Sequence, residues 1–421
     1  MAIHTLEKEI CRRIQAREDE LIRLLSELIA INTADPPGEN YDQCAQFLKS
    51  QLSDIGADVE IIQPYSEVLV QYGPAKKPVN RPSVIATVNG LKRKPVLHFN
   101  GHYDVVPASG SWRVDPYAAT VQNGKIYGRG ATDMKAGIAA MIMAAKVLRQ
   151  ENIQLDGTLS LSFVPDEERD GPAGTRFLIE SGMISADYCI VGEPTGGVDL
   201  CYGHKGSLWL EITTYGRSTH GSRPWKGINA FTQMVEVVKE IDRNIKPSLL
   251  YQEGVDISDQ VAGMTGTISL GGIISSGNSL NVVPASCMMT VDRRLAPGES
   301  PAQVLDNFHS ILRGLEKKSS DFKADVRILS QYPAYVTSVD TLIISTLEDT
   351  LLDITGVKPE LFLMLGGCDM RFFHSRGIQT VIYGPGIRGM SHQSDEYVEL
   401  DKIVTATQVY AITALRLLGV K

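Results

Sequence analysis

The residues of this chain best suited to chemistry are two histidines and several carboxylates, each beside a strand end or a turn. His102 and Asp104 form an HxD pair closing the apolar run VLHFNGHYDVVP. Residues two apart in an extended chain point the same way, so the imidazole can bind a metal while the carboxylate fixes its orientation. Asp133 lies in YGRGATDMKAG, a glycine-flanked turn opening an apolar helix. A carboxylate there can bridge two cations, or merely complement the helix dipole. Glu167 and Glu168 follow the strand TLSLSFVP. Adjacent side chains of an extended segment diverge, which suits one to a metal and the other to moving a proton. Glu193 ends a strand in CIVGEPT, where α/β sheets open into ligand clefts, and His392 sits in the polar loop GMSHQSDE.

Each of these has an ordinary reading: a polar strand end, a helix-start charge, a solvated acidic tip, an exposed loop histidine. As a set they make a mixed nitrogen and oxygen site suited to zinc or a neighbouring divalent ion. Nothing suggests a serine or cysteine nucleophile, since no GxSxG occurs and Cys368 has no histidine–acid pair near it in sequence. Other histidines, His98 and His204 among them, lack acidic partners in such a context and read as structural or surface.

These residues need a scaffold of alternating strands and helices. Apolar spacing from Leu6 to Leu28 predicts one amphipathic N-terminal helix, and a second runs from about Tyr41 to Ile55. Strands are expected at Val59–Ile62, Ser83–Val88, Val96–Asn100, Thr158–Val164 and Tyr188–Val191, with helices near Met134–Arg149 and Thr175–Ser181. That alternation predicts an α/β sheet covered on both faces. After Gly206 the pattern changes: strand Ser207–Tyr215, helix Asn229–Ile241, strands Gly266–Ile274 and Asn281–Arg293, helix Pro301–Lys317, strand Phe322–Ile328. The order βαββαβ is the ferredoxin-like arrangement, expected here as an inserted domain over 206–330. Residues 1–205 and 331–421 then form one discontinuous domain, closed by a helix carrying Ile403, Val409, Ile412 and Leu415.

Composition narrows the partners. Apolar residues make up 43% and charged residues 21%, an ordinary globular balance. The net charge of −8 argues against nucleic acid. The charged first twenty residues and the broken apolar stretches argue against a signal peptide or membrane span. Six scattered cysteines without a CxxC pair fit a reducing, cytoplasmic setting.

The succession GHYDVVP, YGRGATDMKAG, PDEERDGPAGT, VGEPT, STHGSRPWKGINA, GNSLNVVP, DRRLAPGE, GGCDM and GMSHQSDE closely resembles the dinuclear-zinc amidohydrolases. That family includes acetylornithine deacetylase, succinyl-diaminopimelate desuccinylase, aminoacylase and glutamate carboxypeptidase. The resemblance runs from about residue 20 to the end. It implies a zinc-peptidase-like catalytic domain, with helices on both faces of a mixed sheet, plus the inserted domain as a lid and dimerisation element. It implies metal ligands at His102, Asp133, Glu168, Glu193 and His392, with Asp133 bridging two divalent ions: zinc first, cobalt or manganese as alternatives. Asp104 resembles the carboxylate that orients His102, and Glu167 the general base. His220 resembles the residue that helps polarise the substrate carbonyl. Asn281, Arg294, Gly366 and Gly367 resemble substrate-binding positions. Two departures stand out: Ala136 replaces a glycine usual after DMK, and Cys368 replaces a common threonine.

The implied reaction is hydrolysis of an amide in a small N-acylated amino acid, with Glu167 taking a proton from the attacking water and returning it to the leaving amine. A substrate with a free carboxylate is expected, since a guanidinium at Arg294 can grip one. The alternative within the family is a dipeptidase or carboxypeptidase. A non-catalytic paralogue would lack a ligand or the base, and every one of these positions is filled. Relatives pair through the inserted domain, so a homodimer through 206–330 is expected.

Overall fold

A computed structural model of the chain describes residues 2–69, 80–249 and 258–421. It divides into two compact units: Met1–Tyr202 with Thr337–Leu361 and Cys368–Lys421, and Gly203–Val336 with Phe362–Gly367. The second unit therefore starts before residue 206, ends after 330, and takes in a short later return of the chain.

The first unit is built on a mixed sheet. Strands Thr158–Val164, Val96–His102, Tyr188–Val191 and Gln379–Ile382 lie parallel at its centre, and Asp58–Ile62 and Ser83–Val88 add antiparallel strands on one side. The central strands are buried along nearly their whole length, as expected where helices cover both faces. Helices Ala136–Gln150 and Leu400–Leu418 carry most of the apolar mass against them. Gly137 allows this approach: a Cβ there would lie 2.5 Å from the carbonyl oxygen of Gly192. Ala136 is fully buried and opens its helix normally.

The N-terminal helix is two helices rather than one, Ala2–Gln15 and Glu18–Ala30, broken where Arg17 leaves helical geometry at φ −111°. Periodicity survives the break because Ile10, Ile14, Leu21, Leu25 and Leu28 all face the core.

The second unit has a four-stranded antiparallel sheet in the order Thr267–Ser276, Ser286–Leu295, Gly206–Tyr215, Lys323–Tyr332. Leu208, Leu210 and Ile212 pack beneath helices Ala230–Asn244 and Pro301–Lys318. Asn229 caps the first helix, its side chain accepting from the backbone N–H of Phe231 and Thr232. Two expectations shift. The strand anticipated from Asn281 begins only at Ser286, since Pro284 cannot donate to a ladder. Ile328 was expected on the core face with Phe322, Ala324 and Val326, yet it is 40% exposed, just ahead of a bulge between Ile328 and Ser330.

Among the described residues no helix is long and apolar enough to cross a membrane, and no disulfide forms.

Candidate metal centre

Five polar side chains of the first unit converge at the ends of its central strands. His102 is the last residue of Val96–His102. Its Nε2 lies 3.1 Å from Asp133 Oδ1 and 3.4 Å from Glu193 Oε1. Glu193 follows the neighbouring strand Tyr188–Val191. Asp133 occupies an irregular turn before the helix at Ala136, in extended conformation (φ −125°, ψ 95°). Its other oxygen, Oδ2, is 3.5 Å from His392 Nε2, which in turn is 3.0 Å from Glu168 Oε1.

Two triads result, His102–Asp133–Glu193 and Asp133–Glu168–His392, the ligand atoms within each lying within 4.8 Å of one another. Asp133 belongs to both. One imidazole and two carboxylates per triad is the protein donor set of a catalytic zinc-type ion. The residues present therefore fit a pair of divalent ions.

The electrostatics agree with a site built to hold cations. Burial pushes the Glu193 carboxyl up to about 7, with Asp133 adding to the effect. Burial opposes ionisation of Asp133 too, but the hydrogen bond and charge of His102 hold it at about 2. Burial works against protonating His102, while Glu193, Asp104 and Asp133 outweigh it and raise the imidazole well above its usual range. His392 is raised by its hydrogen bond to Glu168. An incoming cation would take the place of those protons.

Asp104 touches both His102 and the turn that carries Glu167 and Glu168. The imidazole Nδ1 is 3.0 Å from the Asp104 backbone carbonyl and 3.5 Å from its carboxylate. That carboxylate accepts from two backbone N–H groups, Glu167 at 3.2 Å and Glu168 at 3.1 Å. One buried side chain thus fixes the turn Glu167–Arg169 that holds the proposed base and a ligand. The turn is entered through Asp166 at φ 83°, whose carboxylate takes the guanidinium of Arg81 and the backbone N–H of Ala173. Glu167 belongs to neither triad, and burial, with Glu193 nearby, raises its carboxyl well above the ordinary range.

The remaining candidates lie in the second unit. His220 is exposed, its Nδ1 2.8 Å from Ser222 Oγ, and the backbone N–H of Gly221 donates to the Asn281 carbonyl at 2.7 Å. That bond brings His220 and Asn281 together. Arg294 and Arg293 diverge as strand neighbours must: Arg293 is buried against Glu299, while Arg294 is partly exposed. The Arg294 fork is engaged, with Nε 2.9 Å from one Asp292 oxygen and Nη2 3.1 Å from the other. Gly366 has open space where a Cβ would stand; at Gly367 a Cβ would meet the Tyr332 hydroxyl at 2.3 Å. The small size of Gly367 thus has a packing reason of its own.

Several positions escaped the sequence reading. Glu396 and Arg129 are buried and contact the backbone of the ligand-bearing loops. Asp369 accepts from Thr175 Oγ1 at 2.6 Å, and its charge contributes to raising the Glu167 carboxyl. The acidic end of GMSHQSDE and the arginine in YGRG were the available signals.

The sequence profile of peptidase family M20/M25/M40 matches residues 98–416. The chain belongs to that family and is a metal-dependent amidohydrolase. Among curated relatives, a probable succinyl-diaminopimelate desuccinylase of Staphylococcus aureus is 27% identical over 96% of this chain and 99% of its own length. An uncharacterized metallohydrolase of Methanocaldococcus jannaschii is 27% identical over 93% and 98%. The fold is that of human carnosine dipeptidase 1 (TM-score 0.75, 17% identity, 98% of each chain covered). It is equally that of an M20 family metallo-carboxypeptidase from Sulfolobus solfataricus (TM-score 0.75, 20% identity, 94% and 98% covered).

Proposed function

We propose that this protein hydrolyses the amide bond of a small N-acylated amino acid bearing a free carboxylate, as a cytoplasmic deacylase using two zinc ions. The observation that carries the reading is the pair of triads sharing Asp133, with a sixth polar residue, Glu167, held beside them by Asp104 but outside both. His102, Asp133 and Glu193 would hold one ion, and Asp133, Glu168 and His392 the other. Bound there, the ions would supply Lewis-acid polarisation and lower the pKa of water. Glu167, its carboxyl raised by burial, takes the proton of the attacking water and delivers it to the leaving nitrogen. His220 is assigned to the developing negative charge on the carbonyl oxygen, and Asn281, Gly366 and Gly367 to the substrate. The name of the Staphylococcus relative supports a desuccinylase-type substrate.

The carboxylate preference rests on Arg294. A screen of N-acetyl-, N-succinyl- and N-formyl-amino acids and dipeptides, each beside its carboxamide analogue, tests it. Acylated amino acids with a free carboxylate are expected to be turned over, with the carboxamides poor. Arg294→Lys should then lower kcat/KM by roughly 1.5–3 kcal/mol equivalent, the value of a lost charge-assisted contact. Equal turnover of acid and amide would remove Arg294 as a carboxylate contact; turnover of dipeptides alone would make the enzyme an exopeptidase.

Homodimerisation through the second unit is part of the same proposal. Its sheet ends in the strand Thr267–Ser276, where Ile273 and Ile274 are both exposed, an edge of the kind proteins cover or pair. Light scattering at micromolar concentration should return twice the chain mass of 46.0 kDa; a monomer would remove the assignment.

A further inference from the structure

Arg129 and Glu396 form a buried ion pair, 1% and 0% exposed, with Nη1 2.6 Å from Oε2. Neither belongs to either triad; beyond the bond to one another, their hydrogen bonds go to backbone. The other Glu396 oxygen, Oε1, accepts from the N–H of Thr132 at 2.9 Å and from the N–H of Asp133 at 3.1 Å. The other terminal nitrogen of Arg129 donates to the carbonyl oxygen of His392 at 3.3 Å. One ion pair therefore holds the main chain of the shared ligand and that of the most exposed ligand.

Joining the two segments does not require it. Strands Lys125–Tyr127 and Tyr397–Glu399 pair antiparallel, Gly128 donates to the Glu396 carbonyl, and Thr132 Oγ1 donates to the Tyr397 carbonyl. A buried salt bridge is a poor device for stability, because desolvating both charges offsets most of their attraction. His392 also sits at φ 67°, a left-handed conformation that costs a non-glycine residue energy and persists only where its surroundings enforce it. The hydrogen bond from Arg129 to its carbonyl is one such restraint.

We infer that the Arg129–Glu396 pair is a positioning device for the metal centre, setting the Asp133 and His392 backbones in register so that the second triad can close on an ion. The inference rests on the dinuclear reading above. The two partners act differently. Glu396 fixes Asp133, which both triads share, so Glu396→Gln, whose amide cannot satisfy the guanidinium and both N–H groups together, should weaken both sites. Arg129→Lys keeps a cation for Glu396 but gives up the forked reach to His392, so it should weaken only the Asp133–Glu168–His392 site.

The test is a titration of metal-stripped full-length protein with Zn²⁺ and with Co²⁺, read by calorimetry and, for cobalt, by the visible spectrum of each bound ion. Wild type should bind two ions. Glu396→Gln should bind both on the order of 10–100-fold more weakly, and Arg129→Lys only one of them by a similar factor, as expected for residues that orient ligands from behind. A lowered melting temperature with both affinities unchanged would make the pair merely structural and overturn the inference. Should Glu396→Gln fail to fold, Arg129→Lys decides alone: two ions bound with wild-type affinity overturn it. Wild type that binds fewer than two ions would instead sink the dinuclear reading, and the inference with it.

Discussion

Glu167→Ala is expected to lower kcat by a factor on the order of 10²–10⁴, the usual worth of a positioned general base, while the protein keeps its ions. The separation follows from the turn Glu167–Arg169. Asp104 holds the backbone of Glu167 and Glu168 alike, but only Glu168 reaches a triad, through its contact with His392. Glu167 is left outside both triads, with a carboxyl that burial and Glu193 raise above the normal range and so make more basic. Paired measurements of kcat and metal content decide the matter. Glu168→Ala should lose an ion as well as activity. Equal metal loss in both variants would mean that the roles within the pair are wrongly divided.

Asp133→Ala should be more severe still, abolishing turnover and emptying both sites. Asp133 gives Oδ1 to the side of His102 and Oδ2 to the side of His392, so its loss leaves each ion with one imidazole and one carboxylate. Two protein ligands are too few for a zinc site of this kind. Glu193→Ala, by contrast, should cost mainly the ion beside His102. Elemental analysis after dialysis separates the cases: an Asp133→Ala protein that retains two ions would show that the carboxylate does not bridge.

Much of the centre was legible because its residues sit at places where sequence is a good guide to position. His102 and Glu193 end apolar runs that could only be central strands, and Asp133 and Glu168 stand at turns marked by glycine and proline. Strand limits at Ser83–Val88, Thr158–Val164 and Tyr188–Val191 coincide with the apolar runs themselves. What periodicity could not show were features set by packing rather than pattern. The break at Arg17 preserves the apolar stripe on both sides, so one helix and two look alike. Strand Leu200–His204 is short and holds glycine and histidine, so it carries no alternation to detect. Glu396 and Arg129 are charged residues in polar loops, and only the fold reveals that they are buried and bonded to backbone. The engagement of Arg294 by Asp292 likewise depends on two side chains of one strand leaning together, which spacing permits but does not require.

The division of the chain has a consequence for the order in which the protein is made. His102, Asp133, Glu168 and Glu193 all leave the ribosome before the second unit is synthesised, whereas His392 and Glu396 follow it. Until the last segment emerges, a nascent chain lacks the last ligand, the carboxylate that pins the Asp133 backbone, and the strand Gln379–Ile382 and helix Leu400–Leu418 that complete the first unit. Growing chains and prematurely terminated fragments are hydrolytically inert on this account. The complete centre therefore exists only once translation has passed the inserted unit.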